Sequence, residues 1–320
     1  MTHSQPVAAA PGLARDGGPA GGRRTRRGSP IGRQQTRAAW LFMAPGLLIL
    51  GVFVAYPMSQ ALYLSFTEYD ILQPARWVGL ANYQRLLEDP QFANALGNTL
   101  YYAAVTTPVS IALALVFALM LNRRMILRGF ARTAIFLPFI VSLGIVAIAW
   151  TFLFDPNIGL LSYWLSNIGI SPGQGWLRDP DLAMPAVMIV GVWKNVGFFM
   201  VIYLAGLQGV PKELYEAARI DGANAWSQFR YVTWPLLANQ TLLVSILAAI
   251  ATLQAFDQIF VMTRGGPFFR TETLVAMIYR TGFGQFEFGY AAAISWVLVA
   301  LILILSLLQL AYFRRRAVRY

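Results

Sequence analysis

The run GYAAAISWVLVALILILSLLQLAYF, residues 289–313, contains no Asp, Glu, Lys or Arg and ends directly before three consecutive arginines. A helix needs about 20 predominantly apolar residues to cross the hydrocarbon core of a bilayer. The run is long enough for this, and it lacks the apolar and polar alternation of a membrane β-strand. It therefore predicts a transmembrane helix and decides the class of the protein.

Five more apolar runs precede this one. The chain is 57% hydrophobic and 12% charged, against roughly 45–50% apolar and about 25% charged for soluble domains. Because lipid offers no hydrogen bonds to the backbone, spanning segments of this length are expected to be helical. The sequence predicts an all-α integral membrane protein whose domain, residues 38–313, contains six transmembrane helices, at residues 38–62, 96–121, 131–154, 182–207, 239–262 and 289–313.

The distribution of basic residues predicts the orientation. Of the 25 Lys and Arg residues, 18 lie before the first span, in the second and fourth loops, and after the last span, whereas 6 lie in the opposite loops and Lys194 lies within a span. Loops rich in Lys and Arg stay in the cytoplasm. Both termini are therefore predicted to be cytoplasmic. The net charge of +11 follows from this topology, so we do not expect a nucleic-acid partner.

The two ends are predicted to be basic cytoplasmic segments. Residues 1–37 are rich in Gly, Ala, Pro and Arg, a composition that predicts a disordered arm. Residues 314–320 form a short basic tail. Arginines at such positions are attracted to the anionic headgroups of the bilayer by about 1 kcal/mol each. With no cysteine and the single His3, the chain predicts neither disulfides nor a metal site, and it gives no indication of a cofactor.

The loop at residues 211–235, between the fourth and fifth spans, is the most informative. Pro211 suits the first turn of a helix, Glu213 and Glu216 suit its positive N-terminal end, and Gly222 suits a helix stop with positive φ. The pattern predicts a short helix, a sharp turn and a second short helix. Its small residues would let another protein approach closely, but an amphipathic helix lying on the membrane has a similar pattern.

The same loop resembles the EAA loop of binding-protein-dependent ABC importer permeases, in which E-A-A is followed by Gly and then by I-x-L-P at fixed spacing. Val232 and Trp234 depart from the Ile and Leu of that pattern. The resemblance implies that the segment docks on an ATPase subunit. The matching coupling residues are Glu216, Ala217, Ala218, Asp221, Gly222, Ala223 and Pro235.

The resemblance extends over most of the chain to the carbohydrate branch of these permeases, near the maltose-type and glycerol-phosphate-type proteins. It implies a MetI-like fold in a bacterial inner membrane, a second homologous permease as heterodimer partner, ATP-binding ABC subunits, and an extracytoplasmic solute-binding protein that delivers a sugar. The sequence has no G-x-x-x-x-G-K-[ST] loop, so ATP hydrolysis is expected from a partner and the chain is not expected to be an enzyme. The motifs that carry the resemblance to the carbohydrate branch are DPNIGLL at 155–161, DGA at 221–223, GGP at 265–267 and FGYAAA at 288–293.

Polar residues inside the spans are candidates for a substrate pathway, because a charge there costs about 2.5–3.5 kcal/mol. Structural hydrogen bonds between helices are an alternative explanation for each. Gln254 and Asp257 lie three residues apart and are expected on one helical face, and Lys194 and Asp257 are a possible ion pair. The candidate pathway residues are Lys194, Asn195, Tyr203, Gln254 and Asp257.

Three function classes are considered on the residues alone, and one of them, a purely structural or assembly membrane protein, is disfavoured by the polar groups in the spans. The first is a sugar-importing ABC permease. The alternative is a secondary transporter driven by an ion gradient, which more typically shows internal repeats and paired broken helices, and no clear repeat is found. The type of sugar or polyol does not follow from the sequence.

The orientation is tested by labelling single cysteines in intact cells with an impermeant thiol reagent. We expect Arg128→Cys and Ser227→Cys to be shielded and Asp179→Cys to be labelled, since the charge bias places the first two inside. Labelling of Ser227→Cys from outside would reverse the topology.

Overall fold

The computed structural model describes residues 30–123, 126–169, 173 and 175–314. Most of the predicted basic arm, residues 1–29, lies outside these ranges, as do Arg124 of the second loop and residues 315–320 of the predicted tail.

The chain divides into two compact units, residues 1–57 and 58–320. The described part of the first unit contains helix α1 (Pro30–Leu50) and a π-helical turn (Gly51–Ala55). Helix α1 starts within the segment predicted as a disordered arm. Pro30 suits a first helical turn, and the Gln and Arg residues that follow are good helix formers. The side chains of residues 38–60 are exposed, as expected for a helix solvated by lipid.

The second unit contains most of the helices and one antiparallel strand pair. Helix α2 (Tyr56–Ser65) leads into β1 (Thr67–Glu68), which pairs with β2 (Arg76–Trp77) so that Thr67 lies opposite Trp77. The remaining helices are α3 (Ala81–Glu88), α4 (Pro90–Asn122), α5 (Arg128–Ile140), α6 (Leu143–Leu153), α7 (Leu160–Asn167), α8 (Ala183–Gln208), α9 (Lys212–Ile220), α10 (Ala225–Gln228), α11 (Trp234–Leu236), α12 (Ala238–Leu253), α13 (Asp257–Met262), α14 (Leu274–Tyr279) and α15 (Phe288–Arg314), with π-helical turns at Phe229–Thr233 and Arg280–Gly284.

The predicted all-helical membrane fold is confirmed. Five helical segments of the described chain are long and apolar enough to cross a bilayer, and the bent pair α5 and α6 supplies a sixth if it is counted as one span. The five segments are Ala38–Ser65, Pro90–Asn122, Ala183–Gln208, Ala238–Met262 and Phe288–Phe313.

The third predicted span, residues 131–154, is not one straight helix. Helices α5 and α6 meet at an angle of 101°, because Val141 is extended and Ser142, at ψ 131°, is also non-helical. A helix end leaves its last carbonyl groups without partners. Here the Nζ of Lys194 donates to the carbonyl oxygens of Pro138, Phe139 and Val141 at 2.8, 2.7 and 2.5 Å. These bonds match the three donors of an ammonium group.

The fifth predicted span is also broken. Helix α12 ends at Leu253 and α13 begins at Asp257, with Phe256 at φ −136° between them. Thr273 Oγ1 donates 2.9 Å to the carbonyl oxygen of Ala255 in this break. Gln254 and Asp257 therefore do not share the face of one continuous helix, which corrects the prediction from their spacing.

Helix α8 lies at the centre of the second unit and packs on α4, α5 and α12. Two of its glycines allow this close approach. A Cβ on Gly197 would lie 2.1 Å from the carbonyl oxygen of Ile135, and one on Gly191 would lie 2.0 Å from Oη of Tyr102. At Gly197 the close atoms belong to the α5 backbone, so a larger residue requires the two helices to move apart, whereas at Gly191 it requires the Tyr102 side chain to move.

Replacing Gly197 by Ala is expected to destabilise the protein, whereas Gly97→Ala in α4 is the matched control, because no atom lies within 4 Å of its added Cβ. Overpacking costs about 1–3 kcal/mol, while Gly to Ala in an open helical position stabilises by roughly 0.5–1 kcal/mol. Thermal unfolding of the purified protein in detergent measures both. Equal melting temperatures for the two variants would contradict the packing of α8 on α5.

Replacing Lys194 by Met is expected to destabilise the bend by at least about 2 kcal/mol, because buried carbonyl groups lose a charged donor. Among the described residues no salt bridge within 4 Å joins Lys194 to Asp257, so Asp257→Asn is expected to stay within roughly 0.5 kcal/mol of the parent. The double variant should then equal Lys194→Met in thermal stability. Recovery of stability in the double variant would instead indicate an ion pair between the two side chains.

Candidate functional site

The predicted coupling loop, residues 211–235, forms two short helices joined by a sharp turn. Helix α9 ends at Ile220, and Gly222, two residues further on, has φ +78°. The N–H of Ala223 donates 2.8 Å to the carbonyl of Ala218, and the N–H of Gly222 donates 3.1 Å to that of Arg219. These two bonds form a Schellman motif, the usual helix end at a left-handed glycine. Helix α10 then starts with its own cap, since Oδ1 of Asn224 accepts from the N–H of Ser227 at 2.9 Å.

The surface of this loop is open. No residue of α9 is buried by the rest of the described chain. Glu216, Ala217 and Asp221 are exposed, and Ala218 and Ala223 are half-buried. The side chain of Ile220 is 87% exposed and that of Trp226 is 69% exposed. Large apolar side chains of this exposure beside small residues and a carboxylate form a surface suited to another protein.

The loop is held to the membrane helices by its second half. Oη of Tyr215 lies 3.0 Å from Oγ1 of the buried Thr233. The ring of Phe229 lies between those of Trp226 and Trp234, at 5.6 and 6.3 Å. Pro235 lies in the first turn of α11, where its missing N–H costs no helical bond. Trp234, which departs from the EAA pattern, is therefore one of the rings that position the loop.

Two of the predicted pathway residues lie on a surface. Gln254 and Asp257 are exposed on either side of the break in the fifth span. Asn195 is half-buried and donates 2.9 Å to the carbonyl of Gly191 within its own helix.

The other two predicted pathway residues do not line a surface. The side chain of Tyr203 is fully buried among apolar residues that include Leu115 and Val244. Lys194 is also buried and uses its donors on the bend of the third span. The described chain therefore encloses Tyr203 and Lys194, whereas Gln254 and Asp257 are exposed.

Sequence reasoning did not identify a set of hydrogen-bonded polar side chains along helix α4. Gln258 Nε2 donates 2.9 Å to Oη of Tyr102, and the hydroxyls of Thr107 and Thr252 lie 2.8 Å apart. The N–H of Leu274 donates 2.8 Å to Oγ1 of Thr99. Hydroxyl residues recurring at helical spacing in α4, at positions 99, 106, 107 and 110, were the available signal.

A buried acidic residue on the predicted outer side was also missed. Glu272 is 3% exposed and forms an ion pair with Arg280, at 2.7 Å from Nε. Arg280 also donates 3.0 Å to Oε1 of Gln91, which joins the α13–α14 connection to the start of α4. Nearby, burial acts to raise the pKa of the Asp89 carboxyl, but hydrogen bonds from Tyr290 and from the backbone of residues 91 and 92 outweigh it, so this pKa lies below its ordinary value.

The chemistry of these groups is that of binding and packing. Within the part of the chain that the structure describes, no three His, Asp or Glu residues lie close enough to hold a metal ion. The exposed loop at residues 211–235 and the breaks in the third and fifth spans are the features accessible to a protein partner or a solute.

Comparison with known proteins agrees with this geometry. Residues 97–318 match the family described as binding-protein-dependent transport system inner membrane component. The chain is 38% identical to the lactose transport system permease protein of Rhizobium radiobacter, over 87% of this chain and 94% of that protein. It is 35% identical to the sn-glycerol-3-phosphate transport system permease protein of Agrobacterium fabrum, again over 87% and 94%.

A solved structure has the same fold. A chain of a bacterial ABC transporter involved in the import of the acidic polysaccharide alginate superposes with a TM-score of 0.74 at 25% identity, covering 88% of this chain and 98% of that one. The predicted MetI-like permease fold is thus confirmed. The protein is a transport component of the membrane rather than an enzyme. The chain belongs to the family of binding-protein-dependent transport system inner membrane components.

Proposed function

We propose that the chain is a permease subunit of an ATP-driven importer and translocates a sugar or sugar-like solute delivered by an extracytoplasmic binding protein. The observation that carries the proposal is the open helix-turn-helix surface of residues 211–235, which no other described part of the chain covers. The turn between its two helices is held by the hydrogen bonds of Gly222 and Ala223 and by the Asn224 cap.

ATPase subunits are the proposed partners of this surface. The carboxylate of Glu216 and the small side chain of Ala217 are exposed, and the side chains of Ile220 and Trp226 add exposed apolar area. A movement of the ATPase is transmitted through this surface to the fifth span, because Tyr215 and Phe229 contact residues at the start of that span. ATP hydrolysis in the partner would in this way change the arrangement of the membrane helices.

The proposed solute class rests on the relatives and on the polar groups of the spans. The two named relatives are transport proteins for lactose and sn-glycerol-3-phosphate, both rich in hydroxyl groups. Asn195, Gln254 and Asp257 offer amide and carboxylate groups, which hydrogen-bond hydroxyls well. A second homologous permease is the proposed partner that completes the pathway.

An ion-gradient-driven secondary transporter is a weaker alternative. It would have no use for an exposed coupling surface between the fourth and fifth spans. Membership of the binding-protein-dependent family also favours the ATP-driven importer. Co-purification with an ATPase subunit in mild detergent distinguishes the two classes.

Gly222 provides the sharpest test of the coupling surface. Its φ of +78° is in the left-handed region, where a β-branched residue is strained by about 1–3 kcal/mol. We expect Gly222→Val to insert in the membrane but to lose binding-protein-stimulated ATP hydrolysis, measured on the transporter in proteoliposomes. Asn tolerates positive φ, so Gly222→Asn is the matched control and should retain most of the stimulated activity.

The double variant Gly222→Val with Glu216→Lys adds a charge reversal on the exposed face. Stimulated hydrolysis at the level of the parent in this variant would remove the coupling assignment.

A further inference from the structure

Six aromatic side chains form a continuous row beside the break in the fifth span. Neighbouring ring centroids lie between 5.0 and 6.1 Å apart, and the rings of the first two are stacked at 21°. We call this set the aromatic row: it consists of Phe256, Phe260, Tyr279, Phe283, Phe288 and Tyr69.

The aromatic row is open along one side. Phe260 and Tyr279 are exposed, and the side chain of Phe283 is 64% exposed. The core rings of Phe154 and Phe199, by contrast, are almost fully enclosed. The row therefore presents ring faces or edges to whatever lies beside the protein at this position.

Polar side chains border the aromatic row and argue against lipid as that neighbour. Asp257 lies between Phe256 and Phe260 in sequence and is exposed, as is Gln254. Neither side chain makes a hydrogen bond within the described ranges, and the charge of Asp257 interacts with that of Lys194. A carboxylate facing hydrocarbon at a span costs about 2.5–3.5 kcal/mol. Such a surface is stable where water or a polar solute covers it.

The backbone supports the same conclusion. Residues 254–256 are non-helical within a segment otherwise apolar enough to span the bilayer. Irregular backbone at membrane depth is found where it is covered by protein or lines an aqueous cavity, and interrupted helices commonly form the solute sites of transporters. The break places Gln254 and Asp257 at the end of the aromatic row.

We propose that the aromatic row is a stacking surface for the sugar ring of the transported solute, an inference that rests on the proposed function. A pyranose ring has an apolar C–H face, which stacks on an aromatic face, and an edge of hydroxyl groups. The aromatic row contacts the C–H face, Asp257 accepts hydrogen bonds from the hydroxyl edge, and Gln254 donates to it or accepts from it. Because successive rings are similarly spaced, a sugar ring moves from one to the next without leaving apolar contact.

The first experiment tests whether water reaches the aromatic row. Its result does not depend on which solute the transporter carries. The chain contains no cysteine, so Phe260→Cys and Phe283→Cys each add a single thiol to the complete transporter. Both are expected to react with a small impermeant thiol reagent added outside the cell. Leu303→Cys, on an exposed position of α15, is the lipid-facing control and is expected to remain unlabelled. Absence of labelling at both row positions overturns the proposal.

Stacking is then tested by uptake of radiolabelled sugars, starting with lactose, by cells that contain the complete transporter. Phe283→Trp keeps a ring and is expected to transport within about twofold of the parent, whereas Phe283→Leu keeps apolar area but loses the ring and is expected to lose roughly tenfold. Equal transport by the Leu and Trp variants overturns stacking while the parent still carries sugar. The unmodified transporter is also tested with sn-glycerol 3-phosphate, which has no ring. If it carries this solute and none of the sugars, both the sugar assignment and the stacking surface are overturned.

Discussion

Backbone carbonyl and amide groups inside a bilayer find no water to bind, and this constraint shapes the whole protein. Continuous helices satisfy it by themselves. The third and fifth spans do not, because each is interrupted, and side chains from other elements complete their hydrogen bonds. Lys194 supplies three donors to the bend between α5 and α6, and Thr273 supplies one to the break before α13. The interruptions are therefore stable features that connect distant parts of the chain.

The same constraint explains the position of α8. It carries Lys194 to the bend, and its glycines let α4 and α5 approach closely enough for that contact to form. Its C-terminal end leads directly into the loop at residues 211–235. A displacement of residues 211–235 would thus reach the interior of the membrane domain through α8 on one side and through the Phe229 and Trp234 rings on the other. This connection is the physical basis of the coupling to a partner ATPase that we propose.

Polar residues in the spans divide into two groups by their surroundings. Lys194, Gln258 and Thr99 have partners inside the protein and hold helices together. Gln254 and Asp257 are exposed at a break and have a row of rings beside them. The free-energy cost of placing a polar side chain in lipid is similar for both groups. The presence of a polar residue in a span therefore does not show whether it serves helix packing or transport.

The sequence by itself determined the helical membrane class, the approximate limits of the spans and the helix–turn–helix form of residues 211–235. These follow from local properties: apolar length, the caps of short helices and the left-handed conformation at Gly222. The tertiary structure alone decided that two of the spans are broken, that Tyr203 is enclosed, and that Lys194 bonds to carbonyl groups rather than to Asp257. It also brought Tyr69 together with rings more than a hundred residues away. A local pattern records how apolar a segment is, but the direction of each side chain depends on which helices pack against it, and that is a property of contacts between segments far apart in the chain.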